Sequence, residues 1–183
     1  MEQSQLLKIK KSIKVLDLGS LCHLKRLSLR GCSTLHTLRI PPSLVALDAS
    51  ACTKLKEVTV VYHDHFENDN SSSGDGLLQA LNLNGCRSLS KGMFSNASIL
   101  KNITALDLTC AKAIPTKSLA HALYHSKSLT KISLRYIAND EILEAISASS
   151  ATAEGLCLVD VAFSHVTDMS VEKLVRNALH LER

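Results

Sequence analysis

Six cysteines and eight histidines are the side chains of this 183-residue chain best equipped to bind metal or act as nucleophiles. Their spacing gives them neither task. No two cysteines form a C-x-x-C pair, so a zinc site is not expected. His121 and His125 stand four apart on an expected helix, but the Glu of H-E-x-x-H is missing and no further ligand lies nearby. His63 and His65 flank Asp64 in a polar segment that reads as solvated loop. Asn70, Asn96 and Asn102 head N-x-[ST] sequons, which matter only in a secreted protein. The chain has no Gly-rich phosphate loop, no paired catalytic carboxylates and no G-x-S-x-G. It reads as a non-enzyme that needs no cofactor.

Three cysteines instead mark a recurring phrase. Leu24, Leu27, Leu29, Cys32 and Leu35 fall at positions 1, 4, 6, 9 and 12 of a unit. Leu44, Leu47, Ala49, Cys52 and Leu55 repeat those positions, as do Leu78, Leu81, Leu83, Cys86 and Leu89. Looser copies start at Ile103, Leu129 and Leu156. This is the pattern L-x-x-L-x-L-x-x-N/C-x-L, in which each unit gives a short strand and buries its apolar face only by stacking on its neighbours. The expected fold is therefore α/β: a leucine-rich-repeat solenoid, or horseshoe, with a parallel concave β-sheet. A cysteine at position 9 is a small, weakly hydrogen-bonding filler for the turn after the strand. Cys110 falls one place early, which reads as a local irregularity, while Cys22 and Cys157 read as ordinary core or strand residues.

If positions 4 and 6 point inward, positions 3, 5 and 7 line the concave face. The residues expected to bind a partner there are Arg26, Ser28 and Arg30; Asp48 and Ser50; Asn82 and Asn84; Asp107 and Thr109; Lys131, Ser133 and Arg135; and Asp160. Small polar groups on a frame of fixed spacing are the chemistry of protein recognition.

The convex side comes in two styles. Early on, a second phrase sits half a unit later (Leu35, Leu38, Ile40; Leu55, Val58, Val60), with Ile13, Leu16 and Leu18 as an earlier copy. These predict strand or extended chain on both sides, turned back by Pro41-Pro42. Later units leave room for helices over 118–126, 139–148 and 168–179, with Val171, Leu174, Val175 and Ala178 inward in the last. The organisation is then repeats of the 20-residue type over 1–62, a flexible polar insertion over 63–76, and repeats of the 25–27-residue type over 77–183. Leu181 stands where another strand would open, so the chain reads as a piece of a longer array.

Composition bounds the setting. The chain is 45% hydrophobic yet 3% aromatic, so its core is aliphatic. No apolar run reaches the roughly 18 residues of a membrane span, and residues 1–12 lack a signal-type apolar stretch. With cysteines placed by the repeat and not by pairing, a cytoplasmic or nuclear setting is expected. The first 62 residues carry ten Lys/Arg against four Asp/Glu, and the rest eleven against thirteen. That balance fits solvated lysines on a convex surface, with an acidic partner for the basic first third as the alternative. The expected partner is a protein, not a membrane or a nucleic acid.

The phrase Leu24-x-x-Leu27-x-Leu29-x-Gly31-Cys32-x-x-Leu35, echoed with Gly85-Cys86, resembles the cysteine-containing class of leucine-rich repeat, and 165–171 (His-Val-Thr-Asp-Met-Ser-Val) resembles the helix start of that class. The class is typical of F-box/leucine-rich-repeat proteins. The resemblance implies a substrate-recognition array of an SCF-type ubiquitin ligase, with ligase subunits held through a flanking domain. Residues 40–55, with Ile40-Pro41-Pro42-Ser43-Leu44, are also similar to the C-terminal repeats of plant intracellular immune receptors, which would imply a ligand-sensing array.

Overall fold

Three residues with one buried between two outward ones suffice for a strand when parallel neighbours supply the hydrogen-bond partners. The computed structural model describes residues 13–61, 77–94 and 97–182, and within these the phrase builds two parallel sheets. The larger has six strands, β2 (Arg26–Ser28), β4 (Ala46–Asp48), β6 (Ala80–Asn82), β7 (Ala105–Asp107), β8 (Lys131–Ser133) and β9 (Leu158–Asp160). The smaller holds β1 (Val15–Asp17), β3 (Thr37–Ile40) and β5 (Glu57–Val60) in the order β1-β3-β5. The chain is thus a mixed α/β fold, and the half-unit phrases do form extended structure opposite the main strands.

Register follows the phrase. Leu27 pairs with Leu47, Leu47 with Leu81, Leu81 with Leu106, Leu106 with Ile132, and Ile132 with Val159. The first five are buried and Val159 is half-buried, so position 4 forms one aliphatic line beneath the sheet. Full burial of each such side chain contributes about 1.5–3 kcal/mol. The expected insertion over 63–76 lies outside the described residues. β4 nonetheless pairs directly with β6, so the six-stranded sheet runs unbroken across it. The ladder also opens once past β9: the Glu182 N–H donates to the Cys157 carbonyl at 2.8 Å, the rung that Cys157 itself makes to Thr130.

The second layer changes style as expected. Pro41 accepts the Leu44 N–H at 3.2 Å and turns the chain back after β3. Beyond β6 come two 3-10 segments, Lys91–Phe94 and Ala97–Leu100, and then helices α1 (Thr116–Tyr124), α2 (Asp140–Ala148), α3 (Ser150–Gly155) and α4 (Asp168–Asn177). α1 starts two residues earlier than its apolar face implied, directly after Pro115, whose fixed φ suits a helix start. α2 begins one residue after the expected start, because Asn139 caps it, its Oδ1 accepting the Ile142 N–H at 3.1 Å. α3 was not expected, because Ser-Ala-Thr-Ala-Glu-Gly carries no apolar stripe; Ser149 starts it by accepting the Thr152 N–H.

α4 corrects the expected inward set. Ser170, Leu174 and Ala178 form its buried line, while Val175 is 57% exposed. Ser170 turns the helix, because its hydroxyl donates to Asp140 Oδ1 at 2.6 Å while the Thr167 N–H donates to the same oxygen at 2.8 Å. These two hydrogen bonds, the Ser170 one first, hold the Asp140 carboxyl below its ordinary 3.8 and tie the start of α4 to the start of α2.

Every strand of the larger sheet ends in the same turn. Position 8 is left-handed in all six units: Gly31 (φ 76), Ala51 (59), Gly85 (75), Cys110 (62), Tyr136 (66) and Phe163 (58). Cys110 is therefore no irregularity. It occupies the left-handed position, and Ala111, buried, takes the place of Cys52 and Cys86. L-residues in this conformation cost about 1–2 kcal/mol that glycine does not. Ala51→Gly is thus expected to raise stability by about 0.5–1 kcal/mol after the loss from a freer unfolded chain. Gly31→Ala is expected to lower it by about 1 kcal/mol; an added Cβ there meets nothing within 4 Å, so the loss is purely conformational. Urea unfolding of both variants measures the pair, and shifts of the same sign would contradict the assignment.

Candidate functional site

The polar column at position 5 has a local task before any partner arrives. Asp48 Oδ1 accepts the Ser50 N–H at 3.0 Å, Asn82 Oδ1 the Asn84 N–H at 3.0 Å, Asp107 Oδ1 the Thr109 N–H at 2.9 Å, and Asp160 Oδ1 the Ala162 N–H at 3.0 Å. Asp and Asn close turns this way because their oxygen reaches the amide two residues on. Asp17 does the same for Gly19 in the smaller sheet. The free acceptors expected from sequence are therefore half committed. Each carboxylate keeps one oxygen for other contacts. That of Asp160 meets Arg135 at 3.6 Å and that of Asp17 meets Arg39 at 3.2 Å. Among the described residues, Asp48 and Asp107 have no cation within ion-pair distance.

Over the column lies an open groove of about 610 Å³ across all six strands. Of the thirteen expected site residues it is lined by Arg26, Ser28, Asp48, Asn82, Asp107, Lys131 and Ser133. Its apolar lining comes from Ala46, Ala80, Ala105 and Leu158 at position 3, where the three alanines leave the sheet open to approach, and from the position-4 row between the strand ends. Of the remaining six, Arg30, Ser50, Asn84, Thr109 and Arg135 lie past the strand ends, and Asp160, in register with Ser133 on the edge strand β9, is outside the groove lining. Ser50 is a correction: it is only 9% exposed, because the turn that Asp48 clamps folds it under, and its carbonyl accepts the Gly31 N–H at 2.8 Å. Thr109 and Ser133 face each other across adjacent units, with hydroxyls 2.9 Å apart.

An aromatic cluster at the strand ends escaped the sequence reading. Tyr136 and Phe163 stack with ring centres 5.0 Å apart and planes 11° from parallel, and the Arg135 guanidinium sits 5.3 Å from the Phe163 ring centre. Both rings occupy left-handed position 8, and their recurrence there in consecutive units was the available signal. An aromatic stack contributes about 0.5–1.5 kcal/mol, which offsets part of the backbone cost.

The cysteines behave as turn fillers. Cys52 Sγ donates to the Leu29 carbonyl and Cys86 Sγ to the Ala49 carbonyl, both at 3.1 Å, so each thiol bonds the preceding unit. Burial pushes the Cys52 thiol up to about 11 and the Cys86 thiol up to about 12, which removes the reactive thiolate at neutral pH. Cys22, expected in core or strand, is exposed in the turn before Leu24. Native protein treated with a thiol reagent such as iodoacetamide is therefore expected to be labelled quickly at Cys22 and not at Cys52 or Cys86 until denaturant is added; mass spectrometry of the labelled peptides checks this. Fast labelling of Cys86 in the native state would contradict its buried bond.

His121 and His125 meet edge to face with ring centres 4.8 Å apart on the exposed side of α1. Among the described residues no three His, Cys, Asp or Glu side chains are grouped to hold a metal ion, and no helix is long and apolar enough to cross a membrane. Comparison of the chain with protein-family models and with curated proteins yields no match.

Proposed function

We propose that the chain is a leucine-rich-repeat solenoid that works as a non-catalytic scaffold, holding a protein partner against the outer face of its six-stranded sheet. The observation that carries this reading is the groove itself: small apolar and polar side chains in strict register, with two carboxylates that meet no cation among the described residues. A face built that way offers apolar area, directional polar groups and little bulk, the mix found where proteins recognise proteins. The Gly-Cys phrases at 31–32 and 85–86 favour the cysteine-containing repeat class, and with it substrate recognition for a ubiquitin ligase in the cytoplasm or nucleus. A ligand-sensing array of an immune or signalling receptor is the alternative, carried by the segment over 40–55.

A photo-cross-linking residue placed at Ala80, inside the groove, tests the scaffold reading against the same residue at Lys117 on α1. Capture of one protein at Ala80 and not at Lys117 is expected; equal capture at both would refute the assignment. Absence of any ligase subunit from the complex purified with the full-length protein would remove the ligase part alone.

A further inference from the structure

The groove carries a charge pattern that selects the shape of what fills it. Ala46, Ala80 and Ala105 are register partners on three adjacent strands, and so are Asp48, Asn82 and Asp107 beside them. Asp48 and Asp107 are thus two strand spacings apart, about 9.6 Å. In an extended peptide laid across the strands, side chains on one face recur about every 6.7 Å, so none falls at that separation. In an α-helix, residues i and i+7 share a face and lie about 10.5 Å apart, which matches within the reach of a Lys or Arg side chain. We propose that the centre of the groove takes an amphipathic helix of a partner protein, running across the strands, with basic residues at i and i+7 over Asp48 and Asp107 and small residues between them on the alanine row.

The flanks limit how far the basic character extends. Arg26 is the register partner of Ala46 on one side, and Lys131 that of Ala105 on the other. Each stands on the strand next to a carboxylate's, about 4.8 Å further across the sheet but two residues, about 6.7 Å, towards the alanine row; the step across is close to the rise between i and i+3 of a helix. A longer basic run would meet like charge at both ends, so the complementary helix reads acidic, basic, small, basic, acidic. Alanines at position 3 let a helix backbone come close where larger residues would hold it off.

The inference rests on the reading of this face as a protein-binding surface, and its test separates the two. Asn82 shows that an amide closes the strand-end turn as a carboxylate does. Asp48→Asn with Asp107→Asn therefore removes both charges while keeping both clamps, and its urea midpoint should stay that of the parent. The probes are two alanine-based helical peptides, one with Lys at i and i+7, the other with Lys at i and i+5 on opposite faces. Fluorescence anisotropy is expected to show the i,i+7 peptide binding about tenfold tighter, with that advantage lost in the double variant. Equal affinity for the two peptides, no binding of the i,i+7 peptide at millimolar concentration, or an advantage that survives the double variant would overturn the helix. In each of those cases, specific capture at Ala80 would still leave the protein-binding face standing.

Discussion

Leu106→Ala is expected to lower the free energy of unfolding by about 2–5 kcal/mol. Leu106 is 3% exposed at the centre of the aliphatic line, paired in register with Leu81 on one side and Ile132 on the other. Truncation leaves a void between two rungs that are pinned by their ladders, so little collapse can fill it. The neighbouring Asp107→Arg separates packing from surface chemistry. Sequence alone places Asp107 in solvent and leaves folding untouched by the change. The clamp from Asp107 Oδ1 to the Thr109 N–H revises that to a loss of about 1 kcal/mol, the usual worth of one such bond. Urea titration of the two variants measures the contrast, and equal losses would contradict the inward and outward assignment of the strand.

The main strands were legible because their phrase repeats: a leucine at positions 1, 4 and 6 is a burial instruction, and six copies brought into register leave little freedom. The second phrase of Leu35, Leu38 and Ile40 was legible for the same reason and became β3. What failed had no periodic signal. Position 8 holds Gly, Ala, Gly, Cys, Tyr and Phe, and only its glycines advertise a left-handed turn, so Cys110 looked misplaced when it was in step. The rotation of α4 depends on the bond of Ser170 to Asp140, two residues thirty apart, and no local stripe encodes it. The register of the strand positions was legible but their chemistry was not, since the turn clamps consume an oxygen of each acidic side chain that the spacing left free.

Phe94→Ala is expected to be the most damaging single truncation, at about 3–5 kcal/mol. Phe94 is 1% exposed and ends the 3-10 segment Lys91–Phe94, which packs between β5 and α1. The smaller sheet stops at β5, and this segment takes the place of a next strand. The Ser90 N–H donates to the Lys56 carbonyl at 2.7 Å, and the Val58 N–H donates to Met93 Sδ at 3.4 Å. An edge amide that would otherwise face an apolar wall is thereby satisfied by a thioether. The phenyl ring is buried where extended chain gives way to helix, between the last strand of the smaller sheet and α1. Removing it is expected to loosen β5, so the loss should be accompanied by faster hydrogen exchange at Val58 and unchanged exchange at Ile132 on β8, the fifth strand of the other sheet. Uniform acceleration at both amides, or a loss under about 1 kcal/mol, would mean that the junction does not depend on Phe94.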